Sequence, residues 1–298
     1  MDSPKRVEYP LFLQYNAEEI NRNHQGGRHM KFTFLGTAVA EGMPAVFCNC
    51  QYCQKARELG GKEIRTRSQA IINDDLLLDM PADTYSHFLQ NNIRGDKIKY
   101  VFFTHSHQDH LYTGEFNMRN GAYAHDMEVP TLQVYCTQGA YEKLKEYPNV
   151  SVKLIKPYER ITAGDYEVIG LPARHADGDE AVFYIIKHGG KTILYAHDTG
   201  LFFDEVMEYL EKETFRFDFI SFDCTNGDLI FKDTCSHMGF NHISRVMDKL
   251  KSFGAITEKT ILYVNHFSHN GNPITENLQK LADPLGLKIS YDGLQVEI

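Results

Sequence analysis

The stretch THSHQDH, residues 104–110, decides how the rest of this sequence is interpreted. It follows the apolar run YVFF, which predicts a buried strand ending near His105. On extended backbone, residues two apart point to the same side, so His105 and His107 can grip one ion. Asp109 and His110 then begin a turn that faces a second ion. Because four ligand-type residues within six positions are rare by chance, the pattern indicates a metal site.

Three further predicted strands end in candidate ligands. VIGLPARH ends in His175, TILYAHD ends in Asp198 with His197 beside it, and TILYVNHFSH contributes His266 and His269. Strand ends of a sheet-based domain can converge at one edge, where ligands are rigidly placed and open to solvent. Two metal ions about 3.5–4 Å apart normally share a bridging carboxylate or water, and Asp198 is the natural carboxylate. We expect His197 to orient its neighbour or to face outward.

A second cluster of candidate ligands is CNCQYC, residues 48–53, which holds three of the six cysteines. The spacing C-x-C-x-x-C suits a closed tetrahedral zinc site, which needs a fourth ligand. In a cytoplasmic protein thiols stay reduced, which favours a metal over a disulfide for Cys48, Cys50 and Cys53.

The charge and composition indicate which kinds of partner to expect. The chain has 298 residues, a net charge of −9 and no run of Lys or Arg. A protein that grips a long polyanion needs a basic stripe, so extended nucleic acid is not the expected partner. No stretch has the length of a membrane span, and residues 1–23 lack the apolar core of a signal peptide. We expect a cytoplasmic protein without a membrane partner, and the sequence leaves a homodimer open.

The order of predicted elements indicates an α/β protein. Hairpins dominate the first part of the pattern, and helices separate the later strands. This order fits two mixed β-sheets with helices packed outside. The pattern begins at Met30, so we expect an N-terminal extension at residues 1–29 and one domain at residues 30–298. One final strand is predicted near LKISYDGLQVEI, residues 287–298.

The motif THSHQDH resembles the signature of the metallo-β-lactamase superfamily. This resemblance covers the chain from Met30 onward, and it implies an αβ/βα sandwich with a dinuclear site between its sheets. It implies two divalent ions, Zn or Mn or Fe, with Asp198 bridging them. The other implied ligands are His105, His107 and His175 on one ion, and Asp109, His110 and His266 on the other.

A narrower resemblance covers FLGTAVAEGMPAVFCNCQYC, residues 34–53, which is similar to the start of PhnP-type phosphodiesterases. Those enzymes open cyclic ribose phosphates. They carry a structural zinc bound by the three cysteines and by a histidine three residues after the last active-site histidine. The resemblance therefore implies that His269, three residues after His266, is the fourth ligand of the cysteine cluster.

The implied activity is metal-dependent hydrolysis of small phosphodiesters, cyclic ribose phosphates or nucleotides among them. Two divalent ions lower the pKa of a bound water toward ~7, which supplies hydroxide at neutral pH. The segment DTCSHMGF, residues 233–240, resembles the stretch that carries a phosphate-contacting histidine in related phosphodiesterases. His237 is expected to bind the phosphate and help protonate the leaving oxygen, and Asp109 is the second predicted catalytic residue.

Two other functions are compatible with the motifs. A ribonuclease Z-like enzyme that processes tRNA 3′ ends has the same pattern of metal ligands. The net negative charge of this chain and the lack of a basic, Gly-rich arm count against that function. A PqqB-like, non-hydrolytic metal-binding protein shares the cysteine start but usually lacks the complete H-x-H-x-D-H. Asp223 could contact a metal ligand or be an ordinary carboxylate at a strand end.

Overall fold

The fold is built from two β-sheets that pack face to face. The computed structural model describes residues 30–175 and 180–298. The predicted extension, residues 1–29, lies outside the described residues, so the boundary at Met30 stays a prediction. Within the described part, fourteen strands form two sheets of seven strands each.

The spatial order of the strands follows the chain in both sheets, except that the last strand joins the first sheet. From one edge to the other, the first sheet contains β14 (Gln295–Glu297), β1 (Lys31–Gly36), β2 (Gln69–Ile72), β3 (Leu76–Leu78), β4 (Tyr100–Phe102), β5 (Leu132–Cys136) and β6 (Val150–Leu154). The second sheet contains β13 (Lys288–Ile289), β12 (Ile261–Asn265), β11 (Phe219–Asp223), β10 (Lys191–Ala196), β9 (Val182–His188), β8 (Tyr166–Pro172) and β7 (Arg160–Ala163).

Both sheets are mixed, as the sequence predicts. In the first sheet, β14, β1, β2 and β3 pair antiparallel, and β3, β4, β5 and β6 pair parallel. The second sheet repeats this division, with an antiparallel set from β7 to β10 and a parallel set from β10 to β13. The antiparallel parts correspond to the hairpins in the sequence, and the parallel parts use helical crossovers.

Seven α-helices accompany the sheets in the described residues. They are α1 (Gln51–Leu59), α2 (Thr84–Gln90), α3 (Gly114–Asn117), α4 (Gln138–Leu144), α5 (Asp204–Lys212), α6 (Phe240–Ser252) and α7 (Thr275–Ala282). Apolar residues of α3 and α4 pack on the outer face of the first sheet, and those of α5, α6 and α7 pack on the outer face of the second. A third apolar cluster lies between the sheets. The layers are therefore helix, sheet, sheet, helix, which confirms the predicted αβ/βα sandwich.

The strand β9, VFYIIKH, shows why both faces of these sheets are apolar. Side chains alternate along a strand, so Phe183 and Ile185 contact the cluster under the helices, while Tyr184 and Ile186 contact the cluster between the sheets. All four are fully buried. A strand covered on both faces has a continuous apolar sequence rather than an alternating one.

The candidate ligands follow strands whose ends meet at one edge of the sandwich. His105 comes three residues after β4 in the first sheet. In the second sheet, His175 follows β8, Asp198 follows β10 and His266 follows β12. The fold thus brings the ends of four strands from two sheets to one place, as the sequence analysis expects.

The predicted final strand is wrong in one respect, because the structure divides it between the two sheets. β13 joins the second sheet, and β14 joins the first. Between them Asp292 accepts hydrogen bonds from the Thr37 hydroxyl at 2.6 Å and from the Thr66 backbone N–H at 2.7 Å. These bonds hold the turn, and Gly293, with a φ of +84°, allows the chain to change direction there.

Phe219 on β11 tests the packing between the sheets. Its ring centroid lies 4.8 Å from that of Phe32 and 5.7 Å from that of Tyr263, and the side chain is fully buried. We expect Phe219→Ala to lower the free energy of unfolding by about 3–5 kcal/mol, because it leaves a cavity in the central layer. Urea unfolding measures the loss. Tyr85→Ala, at a side chain that is 67% exposed, is the control, and a loss at Phe219 no greater than at Tyr85 would contradict this packing.

Candidate metal centre

Asp198 lies at the centre of a buried group of imidazoles. Its Oδ2 is 3.0 Å from His110 Nε2 and 3.1 Å from His266 Nε2. Its Oδ1 is 3.7 Å from His175 Nε2. His110 comes from the first sheet, whereas His175 and His266 come from the second. The carboxylate therefore joins side chains from both sheets, as expected of a group that bridges two cations.

The two histidines of H-x-H meet His175 on one side of Asp198. His105 Nε2 and His107 Nδ1 are 2.9 Å apart, and His175 Nε2 is 3.3 Å from the same His107 nitrogen. On the other side, Asp109 Oδ2 is 3.4 Å from His110 Nε2. The structure thus brings together all seven residues predicted for the dinuclear site: His105, His107, Asp109, His110, His175, Asp198 and His266.

The buried donor atoms of this group are better suited to binding cations than to forming hydrogen bonds with one another. His110 Nε2, His266 Nε2 and Asp198 Oδ2 are buried, and although the two nitrogens lie 3.0 and 3.1 Å from the oxygen, their orientation forms no good hydrogen bond among the described residues. Leaving such an atom unsatisfied costs about 1–3 kcal/mol, more where it is charged. A cation between them would satisfy all three. Imidazole and carboxylate donors suit zinc, manganese and iron alike, so the residues present fit the implied metals.

Backbone geometry contributes to the placement of these ligands. Asp198 has a φ of +51° and His266 a φ of +64°, both in the left-handed region. Residues other than glycine rarely adopt that region, although Asp and His enter it more often than most. Each of these two residues ends its strand with a sharp change of direction, which aims the side chain into the gap between the sheets. Residues in such sparsely populated backbone regions are common at functional sites.

Asp79 is a residue that the sequence analysis missed. It follows β3, is fully buried, and places Oδ2 2.8 Å from His110 Nδ1. The backbone N–H of Thr104 donates to its Oδ1 at 2.8 Å. Burial raises the pKa of Asp79, and His110 opposes that rise. With its Nδ1 engaged by the carboxylate, His110 presents Nε2 to the metal, so Asp79 sets the orientation of this ligand. The only sequence signal was a carboxylate at the end of an apolar strand, LLLDM.

Asp223 orients two other histidines, which resolves the alternatives left open by the sequence. Its Oδ2 is 2.9 Å from His237 Nδ1 and 3.4 Å from His266 Nδ1. The Thr225 hydroxyl also contacts His266 Nδ1 at 2.9 Å. Asp223 is therefore a structural partner of the site rather than an isolated carboxylate.

His197 does not join the ligands, in agreement with the sequence analysis, but it does not face outward either. It is fully buried, and its Nε2 lies 2.7 Å from Ser221 Oγ. Burial lowers its pKa to about 3, so the ring is neutral at physiological pH. The outward-facing alternative is wrong, because the strand β10 carries this side chain into the space between the sheets.

The cysteine cluster meets His269, as the PhnP resemblance implies. His269 Nδ1 lies 3.3 Å from Cys48 Sγ, 3.5 Å from Cys50 Sγ and 3.6 Å from Cys53 Sγ. Tetrahedral zinc with bonds of about 2.3 Å to sulfur and about 2.0 Å to nitrogen separates these atoms by about 3.5 Å. The four residues could therefore hold a structural metal. Such an ion would tie the loop before α1 to the segment after β12 that carries His266.

A comparison with known proteins identifies the family. The profile of the beta-lactamase superfamily domain matches residues 77–267, which is more than half of the chain. The chain belongs to the metallo-β-lactamase superfamily. All seven residues of the His/Asp cluster lie within the matched part of the chain.

One curated relative of the chain is distant in sequence. A ribonuclease Z from Picosynechococcus sp. is 27% identical over 155 residues, which are 49% of this chain and 44% of that protein. The match thus spans less than half of that relative's length. In the described part of this chain, no helix has the length and apolar character needed to cross a membrane.

Two solved structures show the same fold. A diphosphatase from the PhnP family superposes with a TM-score of 0.70 at 21% identity, covering 91% of this chain and 97% of that one. Zinc-bound PqqB from Methylobacterium extorquens superposes with a TM-score of 0.70 at 18% identity, covering 90% of this chain and 100% of that one. Likeness at this level of identity extends to the fold alone.

Removing Asp79 tests its role as a positioning residue. We expect Asp79→Asn to weaken metal binding about 10–100-fold, because His110 loses the carboxylate that orients it. Competition with a chromogenic chelator measures the affinity. Asp75→Asn, in the same β2–β3 hairpin but paired with Lys99 at 3.0 Å, should leave the affinity unchanged. Equal affinities of wild type and Asp79→Asn, with both proteins folded, would show that His110 needs no such support.

The cysteine cluster is tested by counting metal. Cys50→Ser should remove about one equivalent of zinc per chain, because a structural site needs its four ligands. It should also lower the thermal midpoint, since the ion contributes to folding stability. Elemental analysis and a thermal melt provide the readouts, with Cys235→Ser as the control outside the cluster. Unchanged zinc content in Cys50→Ser would rule out this metal site.

Proposed function

We propose that this chain is a metal-dependent phosphodiesterase that acts on small phosphodiesters, among them cyclic ribose phosphates and cyclic nucleotides. The observation that carries the proposal is the His237–Asp223 pair at the rim of the ligand group. The ring centroid of His237 lies 5.0 Å from that of His175 and 5.6 Å from that of His266. His237 is 23% exposed, so it can reach a substrate from the edge of the buried site.

In this proposal the two groups of ligands hold a pair of divalent ions. Such ions would polarise a phosphoryl oxygen and lower the pKa of a bound water. One ion would be held by His105, His107 and His175, the other by Asp109, His110 and His266, with Asp198 shared between them. A third ion, structural zinc, would lie among Cys48, Cys50, Cys53 and His269.

His237 supplies the proton in this scheme. Asp223 engages its Nδ1 at 2.9 Å, which leaves Nε2 free to face a phosphate or a leaving oxygen. Burial alone would lower the pKa of His237, but Asp223 outweighs it and the net shift is upward. The imidazolium is thereby favoured, and it can bind an anionic phosphate and then donate a proton to the departing alkoxide.

Asp109, the second predicted catalytic residue, has a different role in this scheme. Burial alone would raise its pKa, but the neighbouring His110 brings the pKa of Asp109 below its ordinary range. A carboxyl group that stays ionised holds a cation well and transfers protons poorly. We therefore assign Asp109 to metal binding and His237 to proton transfer.

Two findings support phosphate esters as the substrate class. The fold resembles that of a PhnP-family diphosphatase, whose reaction also breaks a bond to phosphorus. The Cys–His group of this chain matches the structural zinc site implied by the same resemblance. A net charge of −9 favours a small substrate over a long polyanion, for which a basic surface would be needed.

A panel of substrates separates this proposal from its alternatives. Purified protein with its metals counted would be assayed on bis(p-nitrophenyl) phosphate, cyclic ribose phosphates, 2′,3′-cyclic nucleotides, a precursor tRNA and a thioester. Cleavage of the small phosphodiesters without cleavage of tRNA supports the proposal. Processing of tRNA alone would favour a ribonuclease Z-like activity, in line with the curated relative. Inactivity with full metal occupancy would favour a PqqB-like role.

His237 provides the sharpest single substitution. We expect His237→Ala to lower kcat on bis(p-nitrophenyl) phosphate by about 10²–10⁴-fold, the contribution of one general acid. Metal content should not change, because His237 is outside the proposed ligand set. His242→Ala, which changes the histidine of the neighbouring helix α6, is the control. Near-normal turnover of His237→Ala would remove this residue from the mechanism.

A further inference from the structure

A cavity opens beside the candidate metal ligands. It has a volume of about 800 Å³, and His107 and Asp109 form part of its wall. This volume lies within the range of ~300–1,000 Å³ that is usual for small-molecule pockets. A substrate whose reacting phosphate lies at the His/Asp cluster therefore has room in the cavity for an arm of nucleotide size.

Lys143 brings a positive charge to this cavity. It lies on α4, lines the cavity, and donates a hydrogen bond from Nζ to the backbone oxygen of Ser106 at 2.5 Å. Ser106 is the residue between the two histidines of H-x-H. Among the described residues Lys143 forms no salt bridge, and its ammonium has three N–H donors, so two remain for a ligand. In a chain with a net charge of −9, such a cation at the site favours an anionic group.

Arg67 is a second cation at the cavity, but its charge is already matched. Its Nη1 pairs with Asp83 Oδ2 at 3.0 Å, and its Nε donates to the backbone oxygen of Ala40 at 2.9 Å. These bonds fix the guanidinium as part of the cavity wall. Asp109 also lines the cavity, and a cation bound there would offset its charge. Lys143 is therefore the side chain that can attract an anion.

Tyr112 offers an aromatic face in the same cavity. This residue is 45% exposed and lines the same cavity as Lys143. The ring lies directly against Gly114, where a Cβ would come within 2.5 Å of the ring atoms. Glycine at this position thus makes room for the ring. Exposed tyrosine rings stack on nucleobases with little sequence preference, because every base has a π-face.

We propose that this cavity binds the non-reacting arm of a nucleotide-like phosphodiester, with the base against Tyr112 and a second phosphate at Lys143. The inference rests on the proposed function, because it assigns the substrate class of the same site. It makes Lys143 and Tyr112 specificity-determining residues and predicts a preference for diesters with a nucleoside arm that carries an additional phosphate.

Three p-nitrophenyl esters separate the contributions of the arm. Methyl p-nitrophenyl phosphate has neither a base nor a second anion in its arm. Thymidine 5′-(p-nitrophenyl phosphate) adds the nucleoside, and its 3′-phosphorylated form adds the second phosphate. With wild type we expect kcat/KM to rise along this series, the last step by roughly tenfold, as a charge-assisted hydrogen bond would give. Equal kcat/KM values for the three esters would overturn the inference.

Substitutions assign each step to its residue. Lys143→Met should reduce the preference for the 3′-phosphorylated ester to about twofold or less, mainly through KM, because the charge is lost. Lys143→Arg should retain most of the preference. Tyr112→Ala should reduce the rise in kcat/KM from the methyl ester to the thymidine ester. Tyr112→Phe should retain that rise. Lys145→Met, just beyond the end of α4 and paired with Glu142 at 2.6 Å, is the control and should behave as wild type. An unaltered preference in Lys143→Met would refute the proposal.

Failure to hydrolyse any of the esters would count against the proposed function. In that case a binding measurement still tests the assignment of the cavity. Isothermal titration of thymidine 3′,5′-diphosphate into the metal-loaded protein gives the affinity directly. We expect wild type to bind roughly tenfold more tightly than Lys143→Met. Undetectable binding to wild type, or equal affinities of the two proteins, would overturn the assignment of the cavity whatever the activity proves to be.

Discussion

The position of the Asp198 carboxylate is the constraint on which the site depends. Its Oδ2 lies within 3.0–3.1 Å of imidazole nitrogens that come from different sheets. This arrangement exists only if the two sheets pack in one register. A buried cluster of charged and polar groups is costly unless something satisfies it, and a pair of cations would do so. Packing of the sheets and binding of metal are therefore coupled through one side chain.

Buried polar residues contact the Nδ1 atoms of two candidate metal ligands, on the side of each ring away from Asp198. Asp79 engages the far nitrogen of His110, and Asp223 with Thr225 engages that of His266. With one nitrogen fixed, each ring can present only the other to the metal, so the geometry exists before a substrate arrives. The cysteine cluster adds a further support. Its histidine lies three residues after His266, so any ion held there would also fix the segment that carries this ligand.

The order of the predicted elements gave two mixed sheets with helices outside, and the candidate ligands could be found because their signals are local or repeat at strand ends. The motif THSHQDH holds four candidate ligands in six residues, and three more follow apolar strands. Asp79 was not predicted, because its partner His110 is 31 residues away and a lone strand-end carboxylate has many ordinary roles. The division of the last strand was also hidden, since the hydrogen bonds of Asp292 with Thr37 and Thr66 form only in the folded chain.

The cavity beside His107 depends still more on tertiary structure. Lys143 lies on α4 and Tyr112 lies in the loop before α3, and nothing in their sequence surroundings distinguishes them from surface residues. Residues that bind metal are constrained in type and spacing, whereas residues that select a substrate are constrained mainly by position. For this reason a sequence of this kind indicates a metal centre more readily than it indicates a substrate.

The central claim is that Asp198 lies between two cations. Crystals of the protein, grown with its native metals, would be measured by anomalous diffraction at the zinc, manganese and iron edges. The account predicts two peaks about 3.5–4 Å apart on either side of Asp198, and a separate zinc peak among the three cysteines and His269. A single peak at Asp198, or none in crystals whose cysteine site is filled, would contradict it.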